Sequence, residues 1–351
     1  MNRKRVLVVG GTGYLGQHAL QGFSAIKEHT QLDLAFTHFS NPPPQALLDA
    51  FPHLLAFNVD LRTGHGFQAI SDSFGQPDVV VNCAALSVPR ACEVDPPTAM
   101  SVNVPSSLQE HAHNQTSDYC PASLCLCLDC DHSGILSVYE GVKSFYKEED
   151  EALPVNVYGK SKIAAEKFIS ENCSNFAILR SSIIFGPQTI SPVPKSLPIQ
   201  WMDGVLSKGI TVDFFHDEFR CPVYVKDVVS TILALSEKWI SEGKKMRLLL
   251  NVGGPDRVSR VQMAEMVADL RGYNKSFIKS VSTSSVDRGV KSPADISMDI
   301  TKLVQTLGIS PISFRDGVEV GFQDGGSGSS IEVGVGIEFW VMVRGWVSGR
   351  E

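Results

Sequence analysis

The stretch VLVVGGTGYLG, residues 6–16, decides the fold. Four apolar residues of high β-propensity lead into glycines at 10, 11, 13 and 16, and YLGQHALQGFSAI (14–26) has helical composition. Strand, glycine turn and helix in that order are the context in which G-x-G-x-x-G binds a dinucleotide. Glycine permits the tight turn and leaves backbone N–H groups open to a pyrophosphate at the positive end of the helix. Gly10, Thr12, Gly13, Tyr14, Leu15 and Gly16 are therefore expected beside a cofactor. A glycine turn without a ligand is the plainer alternative.

Working outward, LDLAFTHFS (32–40), LLAFNVDL (54–61) and PDVVVNCAAL (77–86) read as further strands separated by helical stretches. Such alternation implies βαβ units and a parallel sheet with right-handed crossovers. The unbroken apolar runs suit strands covered on both faces. VYGKSKIAAEKFISEN (157–172) is helical and FAILRSSIIFG (176–186) strand-like, whereas the four prolines of PQTISPVPKSLPIQ (187–200) mark a long loop. Helical composition resumes at 228–240 and 261–273. The fold class expected is α/β, a Rossmann-type doubly wound sheet with a smaller C-terminal α/β domain. Residues 1–190 form the dinucleotide-binding part, with 221–250 returning to it, and 191–318 form mainly the substrate domain. Residues 319–351 read as a Gly-rich disordered tail.

Composition narrows the partners. With 351 residues and 43% hydrophobic content the chain can bury a sizeable core. A net charge of −7 without a basic run argues against nucleic acid or an anionic membrane. No 18-residue apolar run and no signal-like h-region occur, so a cytoplasmic protein with reduced cysteines is expected.

The second strand closes on Phe36-Thr37-His38-Phe39-Ser40-Asn41, without a carboxylate to bind a ribose 2′-OH and repel a 2′-phosphate. NADP (as NADPH) is therefore expected over NAD, although no arginine is present there to clamp the phosphate. Thr37, His38 and Ser40 are the contact candidates. Asp60 and Leu61, closing the third strand, either reach the adenine or cap the next helix. Tyr158 and Lys162 lie four apart on one helical face. An ammonium beside a phenol pulls its pKa of roughly 10 downward, making it a proton donor to a carbonyl. The pattern recurs at Tyr139 and Lys143, where glycine and valine intervene in a turn-like context, and that copy reads as a decoy.

With these residues in place, the chain resembles the extended short-chain dehydrogenase/reductases. It is most similar to their dTDP-4-dehydrorhamnose reductase branch, which includes the regulatory β subunit of methionine adenosyltransferase. The resemblance covers 4–107 and 138–318. It rests on GGTGYLG, PDVVVNCAA, SVNV around Asn103, VYEG…P-x-N-x-YGKSK, ILRSSIIFGP, RCPVYVKDVV, NVGG (251–254) and SMDITKL (297–303). It implies NAD(P) in an interdomain cleft, Tyr158 as proton donor, Lys162 as its partner, and Asn82, Ala84, Ala85 and Asn103 beside the cofactor. It also implies a nucleotide-linked 4-keto-deoxysugar as substrate. Arg220, Arg257, Arg288 and Lys291 are available for its diphosphate, or are ordinary surface charges. The alternative function is a non-catalytic NADP-binding subunit that docks on methionine adenosyltransferase in S-adenosylmethionine biosynthesis.

One departure bears on catalysis. The family places Ser or Thr just before VYEG, where this chain has Gly134-Ile135-Leu136-Ser137, leaving Ser137 as the substitute hydroxyl. Upstream stands C-x4-C-x-C-x2-C, Cys120 to Cys130, with Asp129, Asp131 and His132 nearby. It can be read as zinc ligands in an unusual spacing, as a makeshift fifth strand with Cys125 and Cys127 alternating with leucines, or as a segment that folds poorly. The two gaps in resemblance, 108–137 and beyond 318, point to altered splicing or an imperfect gene model. No metal site is expected.

Overall fold

The computed structural model describes residues 3–107, 124–129, 138–193 and 197–324. Strand β1 (Lys4–Val9) alternates its apolar side chains between two faces, as a pleated strand must. Val6 and Val8 enter one core with Leu20 and Phe23 of helix α1 (Tyr14–Thr30), while Leu7 and Val9 enter another with Phe67 and Ile70 of α3 (Phe67–Ser73). Both faces are covered, which explains the unbroken apolar run in sequence. Each such Val or Leu contributes about 1.5–3 kcal/mol on burial.

The sheet has seven parallel strands. From one edge the order is β3 (Leu55–Asn58), β2 (Leu32–His38), β1, β4 (Val79–Asn82), β5 (Leu124–Asp129), β6 (Phe176–Ser181) and β11 (Arg247–Val252). This is the doubly wound topology, and ligands of such sheets bind outside the carboxyl ends of the strands where the order reverses at β1 and β4. The cysteine-containing run occupies the position of the fifth strand, with the backbone of Cys125 opposite Val80 and Cys127 opposite Asn82. Cys120, Cys130, Asp131, His132 and Ser137 lie outside the described residues.

FAILRSSIIFG is two strands rather than one. After Ser181 the chain leaves the sheet, and β7 (Ile184–Phe185) pairs with β10 (Val223–Tyr224). A second apolar cluster forms there. Phe185 packs with Met202 and Leu206 of α7 (Pro198–Ser207), Phe214 of β8 (Val212–Phe215) and Val267 of α9 (Arg260–Arg271). Helix α8 (Val225–Glu242) returns to the sheet and packs Val228, Ile232 and Leu235 against the α1 side of the first core. The last helix, α11 (Phe314–Asp324), buries Phe314 and Val318 in the second cluster. It continues past the tail boundary at 318 as far as Asp324. No helix among the described residues is long and apolar enough to cross a membrane.

Candidate functional site

The glycine turn is held by the second strand. Gly10 N donates to Thr37 Oγ1 (3.0 Å) and Gly11 N to the Thr37 carbonyl (2.9 Å), so Thr37 fixes two successive amides. Gly10 takes a positive φ of 76°, and a Cβ there would lie 2.9 Å from Ala84. A Cβ on Gly16 would stand 2.2 Å from the Gly10 carbonyl oxygen, so the helix approaches the turn as only glycine permits. Gly13 differs. Its backbone is extended (φ −75°, ψ 169°) and a Cβ would meet only Gly10 O, at 3.3 Å. The protein's own packing does not require glycine at 13, whereas a ligand seated on the turn would.

Gly13 is also the N-cap of α1, which has neither a side-chain cap nor an acidic residue in its first turn. The positive end of that helix is thus left for an external anion. Beside it opens a cleft of about 290 Å³. Of the residues expected from the sequence, Gly10, Thr12, Gly13, Thr37, His38, Asp60, Leu61, Ala84 and Ala85 line it, joined by Phe39, Val59, Arg62, Cys83 and Val102. An anion cradle at one end and apolar walls toward β3 fit a nicotinamide dinucleotide bound by its pyrophosphate and adenosine.

Other expected residues stand elsewhere. Tyr14 and Leu15 send their side chains into the core, each 2% exposed, so only their backbone is left for a ligand. Burial pushes the Tyr14 phenol far above its ordinary range, and its OH donates to the Pro187 carbonyl (3.1 Å). Ser40 is exposed with φ 57°, and its hydroxyl bonds the Phe39 carbonyl rather than facing the cleft. Asn82 accepts from Ala84 N (3.1 Å) and so shapes the loop after β4. Asn103, at the end of α5 (Pro96–Asn103), accepts from Leu86 N (2.7 Å) and donates to Ser161 Oγ (2.8 Å). It ties that loop to helix α6 (Val157–Asn172).

Tyr158 and Lys162 lie in the first two turns of α6. Asn156 caps the helix by accepting from Gly159 N (2.9 Å), and Glu93 of α4 (Pro89–Val94) accepts from Val157 N (2.7 Å). Both side chains are buried, at 1% and 4% exposure, and Lys162 Nζ lies 5.6 Å from the centre of the Tyr158 ring. Neither lines the cleft; Tyr158 packs instead with Cys92, Ala99 and Leu86. At the second Y-x-x-x-K no helix carries the pair. Tyr139 OH accepts from Arg180 Nη1 (2.8 Å), and Lys143 Nζ pairs with Asp150 (2.6 Å). Burial carries the Tyr139 phenol up to about 12 despite the adjacent guanidinium.

Of the cations expected at the substrate, Arg220 and Arg288 are instead committed within the protein. Arg220 is fully buried, and its fork donates to the carbonyls of Phe219 (2.8 Å), Pro293 (3.1 Å) and Ala294 (3.2 Å) and to Ser292 Oγ (3.3 Å). A fork so occupied braces the chain at 292–294. Arg288 reaches Glu218 at 2.6 Å, while Arg220 and Arg260 stand 3.8 Å from the same carboxylate. Burial alone would raise the Glu218 carboxyl, but the three guanidinia outweigh it and hold it at about 2. Arg257 pairs with Asp295 (2.7 Å) and lies 3.6 Å above the Phe219 ring. The carbonyl of Lys291 accepts from Asn156 Nδ2 (3.1 Å). Sequence reasoning missed Arg62 and Arg260. For Arg62 the available signal was its place two residues after Asp60, inside a turn that the aspartate can cap.

Against this geometry, comparison with known proteins is specific. The profile of the RmlD substrate binding domain family matches residues 4–325. A mouse (Mus musculus) protein, methionine adenosyltransferase 2 subunit beta, is 28% identical over 320 residues, spanning 90% of this chain and 86% of its own. The probable low-salt glycan biosynthesis reductase Agl14 of Haloferax volcanii is 26% identical over 252 residues, 70% of this chain and 78% of its own. Among solved structures, dTDP-4-dehydrorhamnose reductase from Bacillus anthracis, in complex with NADP, superposes with a TM-score of 0.70 at 17% identity. It covers 92% of this chain and 99% of its own.

Proposed function

The chain belongs to the RmlD substrate binding domain family, and on that premise we propose that it is an NADPH-dependent reductase of a nucleotide-linked 4-keto-deoxysugar. The observation that carries this reading is the buried Tyr158–Lys162 pair, one turn apart on a capped helix. The bound dinucleotide would supply hydride to the carbonyl carbon. Gly10 to Gly16 would hold its pyrophosphate at the α1 N-terminus, beside the loop after β4 that Asn82 and Asn103 shape. Tyr158 Oη delivers a proton to the developing alkoxide. Lys162 favours the phenolate left behind, since an ammonium within a few ångströms lowers a phenol's pKa. Arg257, 29% exposed at its side chain, is the one of the three expected arginines with surface left for a diphosphate.

A second reading is supported by the mouse relative, methionine adenosyltransferase 2 subunit beta. There the chain would bind NADP and dock on methionine adenosyltransferase without turning over. The replacement of the family's Ser/Thr by Gly134 and Ile135 favours it, since a carbonyl then loses one polarising donor. One assay separates the two: NADPH oxidation with dTDP-4-keto-6-deoxysugar, by the wild type and by Tyr158→Phe. The reductase reading expects turnover by the wild type that falls at least about a hundredfold in the variant. Absence of turnover in both, with NADPH still bound, sinks it. Co-elution with purified adenosyltransferase catalytic subunit then tests the other.

A further inference from the structure

We propose that Arg62, on the turn after β3, selects a 2′-phosphorylated dinucleotide, supplying the cation that the end of β2 lacks. The inference rests on the dinucleotide-binding reading above and adds its phosphate specificity. Among the residues lining the cleft, Arg62 is the only lysine or arginine, and the residues that close β2, Thr37 to Asn41, include none.

The turn that carries Arg62 is built to present it. Asp60 Oδ1 accepts from Arg62 N (2.9 Å), Gly64 N donates to the Asp60 carbonyl (2.9 Å), and Asp60 N donates to the His65 carbonyl (3.0 Å). The aspartate then holds the side chain as well, taking Nε on Oδ1 (2.9 Å) and Nη2 on Oδ2 (2.7 Å). The guanidinium carbon stands 5.1 Å from the centre of the Phe39 ring, which reaches over from the end of β2. A fork gripped along one edge and backed by an aromatic ring has little freedom to lose on binding. Two of its five N–H donors are spent on Asp60, and the remaining three have no partner among the described residues. His38 lines the same cleft with Nδ1 committed to the Asn41 carbonyl (2.9 Å), which leaves Nε2 for a ligand.

Charge supports the same conclusion. Without its partner, Asp60 would be a lone carboxylate at the cleft and would repel a 2′-phosphate as an acidic residue on β2 does. Pairing with Arg62 cancels that charge and still offers donors in the planar geometry that suits phosphate oxygens. Loss of Arg62 therefore removes an attraction and uncovers a repulsion, both acting on the phosphate, while a ribose 2′-hydroxyl loses nothing and gains the freed carboxylate as an acceptor.

The test is titration of the purified full chain with NADPH and with NADH, following ligand fluorescence or heat. The wild type should prefer NADPH. Arg62→Gln should weaken NADPH about 10–100-fold without weakening NADH, with Arg62→Lys between. Retained NADH binding shows that the variants are folded. Equal losses for both ligands, no loss for either, or a wild type without preference for NADPH would each overturn the proposal. A wild type that binds neither dinucleotide refutes the underlying reading itself, and this assignment with it.

Discussion

Replacing Gly13 and Gly16 by alanine, one at a time, separates what a ligand demands of the glycine turn from what folding demands. At position 16 a Cβ would lie 2.2 Å from Gly10 O and 2.8 Å from Gly11 Cα, both backbone atoms that cannot rotate away. Relief requires α1 to withdraw by about 1 Å to reach ordinary contact distance. Overpacking of this kind costs about 1–3 kcal/mol, offset by roughly 1 kcal/mol of alanine's better helix propensity. A 2.2 Å contact with backbone belongs at the upper end of that cost, and the net loss of about 2 kcal/mol lowers the melting temperature by about 4–8 °C in a domain of this size. At position 13 the backbone is already extended and the sole neighbour stands at 3.3 Å. Alanine there costs about 0.5–1 kcal/mol as a poorer N-cap, about 1–4 °C. Yet Gly13 lines the cleft, so on the dinucleotide-binding reading its methyl group would occupy space meant for the pyrophosphate. Thermal melts without ligand, paired with NADPH titration, should show Gly13→Ala folded like the wild type but unable to bind, and Gly16→Ala deficient in both. A Gly13→Ala protein that binds NADPH normally, or melts as low as Gly16→Ala, would refute the argument.

Glu218 gives a pH prediction. Its folded-state value of about 2 lies below the ordinary 4.5, so its stabilisation is complete above about pH 4.5 and disappears as pH falls toward 2. Across that window the wild type should lose about 3 kcal/mol more than Glu218→Gln in urea unfolding; parallel losses would show that the carboxylate is not coupled to folding. Arg180 is 4% exposed and grips Glu166 through Nε and Nη2 at 2.7 and 2.8 Å. Arg180→Met should cost about 3–5 kcal/mol by stranding the carboxylate, and Arg180→Met with Glu166→Leu should recover much of it. A single-variant cost under about 1 kcal/mol in denaturant titration would mean that water reaches the pair.

The sheet was legible because its strands are covered on both faces, so that burial prints an unbroken apolar run. The glycine turn was legible because each glycine answers a local geometric need that spacing reveals. Arginine carries no such signature. Arg220 and Arg62 look alike in sequence, yet one is sealed against the carbonyls of Pro293 and Ala294 and the other faces a cleft, and the difference is made by contacts more than 70 residues away for Arg220. The break between strands at 182–183 was equally hidden, because Ser181 to Ile184 are all buried whether or not the strand continues. The fifth strand was one of three readings that the cysteine-containing run allowed, and which hydroxyl precedes VYEG in space is not determined by leucine alternation.

The first turns of α1 are stitched to the loop that leads into the second apolar cluster. Tyr14 Oη and His18 Nε2 both donate to the Pro187 carbonyl, and Gln17 exchanges two hydrogen bonds with the backbone of Ser191. These bonds are buried, so pulling the two sides apart along this line would expose several unpaired groups at once. The seam therefore fixes where the chain at 187–191 runs, directly beside the N-terminal turn of α1 that borders the cleft.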